Sequence, residues 1–402
     1  MKRASCSACG HADLDQFLDL GMSPIADAYT ATADEVSPTF PLQVAVCAKC
    51  RLVQLLEVVP ADVLFGTGYS FYSSASSPLS AYHEAYAADV LARYPDQVRR
   101  GVVEVGCNDG DLLQHFAHLP HLGIDPSIGP IKVAAGRGLY VMTDAFGLAA
   151  AEGIRSGEFA SGPGVIIANH VLAHVEDVSD CLAGIAHLLD GDGVVIVEVQ
   201  YLPDLLVNNS FDLIYHEHRN FFSLTSLEMA AKRAGMYVID AELTARQGGS
   251  LRATLAKKPL PNTRVDHLRW SEVWLQDWGP YAGFQGRVDR IRTRLLDLLA
   301  AELVDGHLVV GYGAPAKATT LLNYCGIDST MLAYIIDSTP AKQGRFVPGT
   351  GLQILDPVGP SEPADTYLTL AWNYLPEIMR KNIDFTIGEG RWLVPIPAPM
   401  LL

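Results

Sequence analysis

Two Cys-x-x-Cys pairs, Cys6-Ser-Ala-Cys9 and Cys47-Ala-Lys-Cys50, stand 37 residues apart near the start of the chain. Each pair sets two thiolates about one turn apart, and together they offer four sulfurs for tetrahedral zinc. Four protein ligands leave no open position, so such a metal is structural; redox-active or unpaired cysteines are the alternative. A module spanning residues 1–75, made of short strands and turns with few large apolar side chains, gains much of its stability from such a clip. Cys107, Cys181 and Cys325 are scattered, and seven cysteines is an odd number. A disulfide framework would spread its bridges more evenly, so a reducing, cytoplasmic setting is expected.

The remaining composition narrows the class. At 402 residues, 49% hydrophobic and 18% charged, the chain is too apolar for disorder and long enough for two or three domains. Lys plus Arg number 29 against 45 Asp plus Glu, a net charge of −16. That balance argues against nucleic-acid polymers and acidic membranes, though not against a small anion in one local pocket. No leader-like apolar stretch precedes Cys6, and no run of 18 apolar residues suggests a membrane span. With no sustained heptad, a monomer is expected.

Beyond residue 75 the pattern changes to α/β. A helical spacing over 79–97 leads into Gly101-Val-Val-Glu-Val-Gly-Cys-Asn-Asp-Gly110, a buried strand entering a glycine turn, with a helix expected from about Asp111. Three more β-branched runs follow: Leu122 to Asp125, Gly164 to Asn169 and Gly193 to Val199. Short apolar runs between helical stretches predict a doubly wound parallel sheet. After about residue 265 the order recurs. A long amphipathic helix over 282–304 precedes His307-Leu-Val-Val-Gly-Tyr-Gly-Ala-Pro-Ala-Lys317, then Leu332 to Asp337 and Thr366 to Ala371. The fold class is therefore α/β, with a small zinc-binding module at 1–75 and two tandem Rossmann-like domains at 76–262 and 263–402.

Within the first α/β unit, glycines let a ligand approach the backbone after a buried strand, and Asp125, 15 residues beyond Gly110, can accept from a ribose diol. With the turn Thr143-Asp144-Ala145, this resembles methyltransferases that use S-adenosylmethionine. The resemblance implies a cofactor-binding set of Glu104, Gly106, Asn108, Gly110, Asp125, Asp144, Ala145 and Asn169. Glu104, Gly106 and Gly110 would shape the methionine end, Asp125 the ribose, and Asp144 the adenine amine. Asn108 stands where many such enzymes have glycine. Asn169-His-Val-Leu-Ala-His174 falls at a strand end, where doubly wound sheets place ligand contacts. Further on, Tyr215-His-Glu-His218 puts two imidazoles and a carboxyl in a row. In an extended segment Tyr215 and Glu217 would share one face and His216 and His218 the other; a solvated loop or second metal site are the blander readings.

These motifs, with Tyr69-Ser-Phe-Tyr72, Gly248-Gly-Ser-Leu-Arg252 and Gly311 to Lys317, run in an order that resembles the zinc-containing sugar C-methyltransferases. The resemblance spans nearly the whole chain. It implies a methyl branch added at C-3 of a nucleotide-linked 4-keto-deoxysugar, dTDP being the nucleotide, in antibiotic pathways. A base would take the C-3 proton, and the resulting enolate would attack the sulfonium methyl. The implied catalytic set is His218 as base, Glu217 to orient the sugar or set the imidazole's charge, and Tyr69, His174 and Tyr215 around the ketone. Tyr72, Arg252 and Lys317 are the implied substrate contacts, and Cys6, Cys9, Cys47 and Cys50 hold zinc. Gln247, where the family tends to carry His, and the segment after His218 depart from the pattern.

Two alternatives stay open: a bifunctional enzyme that also reduces the 4-ketone with NADPH, and a nucleotide-binding regulator without turnover. The C-terminal glycine turn lacks the Gly-Lys-Ser/Thr ending of an NTPase loop, so phosphoryl transfer is excluded.

Overall fold

The structure, a computed structural model, describes residues 2–65, 71–157, 159–244, 248–359 and 364–402. Its first strands are β1 (Leu14–Pro24), β2 (Thr39–Cys47) and β3 (Val53–Leu55). The central unit contributes β4 (Val102–Val105), β5 (His121–Asp125), β6 (Val141–Thr143), β7 (Val165–Asn169), β8 (Val194–Gln200), β9 (Asn220–Phe221), β10 (Tyr237–Thr244) and β11 (Ser250–Ala256). The last unit holds β12 (Val309–Tyr312), β13 (Ile335–Ile336), β14 (Ile354–Leu355), β15 (Thr366–Thr369), β16 (Arg391–Val394) and β17 (Met400–Leu401).

The central sheet runs in the order β10-β11-β8-β7-β4-β5-β6, parallel from β8 to β6 with an antiparallel β10–β11 hairpin on one edge. The three inner strands β4, β7 and β8 are rich in Val and Ile, as expected of strands buried on both faces. Strand order reverses at β4, so β4 and β7 open a crevice at their carboxyl ends. The third sheet, β14-β13-β12-β15-β16-β17, repeats the plan and ends on one antiparallel strand. Both Rossmann-like units expected from the sequence are present.

Four local expectations are revised. The glycine turn after β4 does not open an α-helix. A short 3₁₀ turn, Leu113–Phe116, follows, because the Asp111 carboxylate is taken by Ser80 Oγ (3.1 Å) and His83 Nδ1 (2.8 Å), and the chain must reach β5 straight after Pro120. The helix expected over 79–97 is two pieces, Ser77–Arg93 and Pro95–Val98, broken where Pro95 supplies no donor. In the zinc module β1 is a long strand, 11 residues with bulges, rather than a short one. Finally, the module's sheet is completed from far away: β9 pairs antiparallel with β3, Val53 facing Phe221 and Gln54 facing Asn220.

The first and third units share one core. Phe17 of β1 meets Tyr281 and Phe284 edge-on at ring distances of 5.2 and 6.1 Å, and Leu18, Leu42 and Val44 pack with Leu321 and Leu322 of the helix Ala316–Cys325. The helix Leu224–Arg233 begins on a Ser223 capping box, and the Glu272 carboxylate accepts from Leu224 N, Thr225 N and Thr225 Oγ1 at 2.7–2.8 Å. Glu272 is fully buried, so Glu272→Ala leaves those donors unpaired. It should lower stability by about 1–3 kcal/mol, read as a fall in the urea midpoint.

Candidate active site

The glycine turn is built around two positive-φ positions. Gly106 has φ 71°, and a Cβ there would lie 2.5 Å from Val171 Cγ2; at Gly110, φ 77°, it would lie 2.3 Å from Leu139 Cδ1. Asn108, also left-handed at φ 50°, does what glycine could not. Its Oδ1 accepts from Ser73 N (2.9 Å) and its Nδ2 donates to Phe71 O (3.1 Å). Asp109 extends the clasp by accepting from Ser74 N (3.3 Å) and Ser74 Oγ (2.5 Å). The Asn108 departure thus docks residues 71–74 over the turn. Tyr72 goes with them: its hydroxyl lies over Gly129, 2.7 Å from where a Cβ would sit.

Asp125, ending β5, accepts from Asn108 N (2.9 Å) and Ser127 N (2.8 Å), which aims its carboxylate across the turn. Glu104 is buried beside it, and its Oε2 has no hydrogen-bond partner. Burial first, then the charges of Asp125, Asp111 and Asp109, push its carboxyl well above the usual range. An empty acceptor beneath a side-chain-free glycine is a fit for the cationic methionine end of S-adenosylmethionine. Asp144 and Ala145 are exposed just past β6, and Asn169 ends β7, where its Oδ1 accepts from Tyr86 Oη (3.2 Å).

The Tyr215–His218 segment is a turn, not an extended run: His218 N donates to Tyr215 O at 2.9 Å. The expected facing is therefore overturned. Tyr215 and His218 come together, rings 3.9 Å apart, with Tyr215 Oη and His218 Nε2 at 2.8 Å. His216 points the other way, edge-on to Phe40 at 5.8 Å. His218 Nδ1 sits 2.7 Å from Leu213 O, and a carbonyl can only accept, so Nδ1 carries the hydrogen and Nε2 the lone pair. Burial, with the neighbouring His174, drives His218 well below the usual imidazole range, so it is neutral. The His174 ring lies 5.1 Å away, its own pKa pushed down to about 4 by burial and then by His170 and Arg219. Glu217 is buried, its Oε2 without a hydrogen-bond partner and its pKa pushed up to about 8 by burial and then by Asp27. Tyr69 and Gln247 lie outside the described residues.

Two expected substrate contacts are already engaged. Arg252 donates to Glu198 Oε2 (3.0 Å), Glu242 Oε1 (3.2 Å) and the Tyr82 hydroxyl, and stacks on Tyr86 at 4.3 Å. Glu198 and the Tyr82–Tyr86 face went unnoticed in the sequence, because this network joins β8, β11 and the helix 77–93. Lys317 is buried at the start of the helix Ala316–Cys325, donating to Asn373 Oδ1 (2.6 Å) over the Trp372 ring (3.8 Å). Its pKa falls to about 8 through burial.

The four cysteines fit zinc. All four sulfurs are buried and lie within 4.8 Å of one another, with Cys6–Cys50 at 3.5 Å and Cys9–Cys47 at 3.6 Å. A tetrahedron with metal–sulfur bonds of about 2.3 Å has edges of roughly 3.8 Å, so the two close pairs need open only slightly and the wider ones close by no more than about 1 Å.

A zinc-clipped module, a crevice suited to S-adenosylmethionine and a buried acid–base turn define a methyl-transfer enzyme. Family models agree in chain order: a zinc binding domain over residues 6–65, a methyltransferase domain over 80–241 and a C-methyltransferase C-terminal domain over 245–397. The chain is 32% identical to the C-methyltransferase NovU of Streptomyces niveus, across 99% of its own length and 96% of NovU, and it belongs to that C-methyltransferase family. It is a C-methyltransferase dependent on S-adenosylmethionine. Solved structures with partial likeness include the magnesium protoporphyrin IX methyltransferase of Synechocystis PCC 6803 with bound SAH (16% identity, TM-score 0.35, 44% of this chain and 84% of that one). Another is an S-adenosylmethionine-dependent methyltransferase of Clostridium acetobutylicum (11% identity, TM-score 0.35, 44% and 91%). Among the described residues, no helix is long and apolar enough to cross a membrane.

Two outcomes follow from this geometry. Gly106→Ala should weaken S-adenosylmethionine binding by at least about tenfold, from the strain of a left-handed alanine plus the Val171 clash, with zinc content intact by calorimetry and metal analysis. Cys47→Ser should lose zinc and lower the unfolding temperature, because the module's core residues surround the site.

Proposed function

We propose that this C-methyltransferase adds a methyl group at C-3 of a dTDP-linked 4-keto-deoxysugar through an enolate, in a deoxysugar or antibiotic pathway. The supporting observation is the neutral His218, its Nε2 lone pair held toward Tyr215 and beside His174 in the loop leaving β7. S-adenosylmethionine, held by the Glu104–Gly110 turn and Asp125, supplies the electrophilic methyl. His218 takes the C-3 proton, which the adjacent ketone acidifies. Tyr215, whose hydroxyl hydrogen turns from His218 Nε2 to the ketone when the sugar enters, serves the ketone oxygen with His174 and Tyr69 as charge builds on it, in a site where burial makes each donor count for more. Glu217 orients the sugar.

Lys317 reaches the sugar nucleotide only by exchanging Asn373, and Arg252 acts through Glu198. The units divide at about 75 and 262, and the enzyme works as a cytoplasmic monomer.

The test is His218→Asn. Methyl transfer to a dTDP-4-keto-deoxysugar and deuterium exchange at C-3 should both fall by about 10² or more. S-adenosylmethionine binding should persist. Retained exchange would assign the base to another group, and no turnover of any 4-keto-sugar by the unaltered enzyme would sink the substrate class.

A further inference from the structure

Four neighbouring strands of the central sheet carry a polar row through its apolar interior. Asn169 of β7 stands opposite Glu198 of β8, Glu198 opposite Arg252 of β11, and Arg252 opposite Glu242 of β10. Residues in register on adjacent strands share one face of the sheet. The helix Ser77–Arg93 lies over this face and sets two tyrosines on the row, about one turn apart. Tyr82 Oη donates to Glu198 Oε2 (2.5 Å), and Tyr86 Oη donates to Asn169 Oδ1 (3.2 Å). No step described above uses either hydroxyl.

The Asn169 end of the row opens on the cofactor crevice. After Asn169 the chain turns through His170, left-handed at φ 58°, whose N–H bonds Glu198 O at 2.7 Å. Val171 then lies against the glycine turn, its Cγ2 2.5 Å from where a Cβ on Gly106 would sit. Asn169 therefore flanks the turn where Glu104 suits the cationic part of the methionine end.

The hydrogens on the row decide what Asn169 offers there. Tyr86 is buried, and among the described residues Asn169 Oδ1 is the one hydrogen-bond partner of its hydroxyl. A buried hydroxyl gives its hydrogen to the acceptor it has, so Oδ1 belongs to Tyr86. Asn169 Nδ2 has no partner among the described residues, and the residue is half-buried at the strand end. A pair of N–H donors cannot serve an ammonium. It serves an anion, and the methionine end of S-adenosylmethionine carries one, the α-carboxylate. The cations beside the crevice are already committed: Arg252 to Glu198 (3.0 Å) and Glu242 (3.2 Å), Arg137 to Ser74 Oγ (2.9 Å) and Asp109 (3.6 Å).

We propose that Tyr86 is a positioning residue for Asn169: its hydroxyl fixes the amide so that Nδ2 meets the α-carboxylate of S-adenosylmethionine. The inference rests on the dependence on S-adenosylmethionine and not on the sugar proposed above. A hydrogen bond to a carboxylate is about twice as strong as one between neutral groups. An amide aimed before the ligand arrives also spares the cost of ordering it on binding.

Calorimetry on the full-length zinc protein, without sugar and at pH 8, tests this with S-adenosylmethionine and its decarboxylated analogue. The unaltered protein should prefer S-adenosylmethionine by about tenfold or more. Asn169→Ala should remove most of that preference by weakening S-adenosylmethionine alone. Asn169→Asp keeps the shape but sets carboxylate against carboxylate, so the decarboxylated analogue should now bind more tightly. Tyr86→Phe should cut the preference by about threefold to tenfold, and should add nothing in the Asn169→Ala background. Tyr82→Phe removes a hydroxyl from the same helix face without touching Asn169 and should leave the preference as it was. Tighter S-adenosylmethionine binding in Asn169→Asp would put the ammonium at Asn169 and overturn the proposal. So would an unmoved preference in Tyr86→Phe, or an equal loss in Tyr82→Phe, which marks a loosened helix. If Tyr86→Phe does not fold, the sign of the Asn169→Asp effect decides.

Discussion

The pairing of β3 with Asn220–Phe221 holds the acid–base turn in place. Asn220 is buried, and both ends of its amide are used: Ser7 Oγ donates to Oδ1 at 2.8 Å, while Nδ2 donates to Leu172 O and Val175 O at 3.1 and 2.8 Å. One side chain thus ties the first cysteine knuckle to the loop after β7, and it lies just past the Tyr215–His218 turn. Ser7 N in turn donates to Gln54 Oε1 (3.0 Å), the β3 residue facing Asn220. Buried amide bonds of this kind are costly to leave half made. The zinc clip therefore does more than stabilise a small module. It fixes Ser7, Ser7 fixes Asn220, and Asn220 sits two residues from His218.

The two Rossmann-like units show how one backbone plan serves different ends. Asp125 receives Asn108 N and Ser127 N; Asp337 receives Ala314 N and Thr339 N. In the central unit the resulting crevice faces Glu104 and the carboxyl ends of β4 and β7. In the C-terminal unit the Tyr29 hydroxyl and Lys342 ammonium both bond Ala314 O at the equivalent turn. The second unit has turned its ligand-facing loop into a seat for the N-terminal module.

What the sequence made legible was whatever depends on short spacing. Cys-x-x-Cys pairs, buried Val and Ile runs and glycine turns carry their geometry locally, so the four-cysteine cluster, both parallel sheets and the strand ending at Asp125 could be read in advance. The misreadings share a different cause. The helix after Gly110 was lost to Asp111, whose side chain serves residues 80 and 83 instead. The Tyr215–His218 facing failed because one i to i+3 hydrogen bond turned the segment, and alternation of neighbouring residues holds only for extended chain. Glu198 and Asn220 were invisible because their partners lie 54 and 213 residues away in Arg252 and Ser7. Nothing in their local sequence sets them apart.

Burial, rather than charge pairing, sets the chemistry of this site. His218 and His174 are held neutral below the usual imidazole range, Lys317 is drawn down to about 8, and Glu217 is drawn up to about 8. In each case desolvation is the largest cause. A protein carrying −16 overall thereby presents an acid–base turn made largely of neutral groups. An ionised Glu217 would oppose the negative charge that grows on a ketone when its neighbouring proton leaves. A protonated His218 could not take that proton. Removing water from the turn meets both requirements at once, and the three-unit junction over residues 25–29, 213–220 and 314–320 is the part of the fold that removes it.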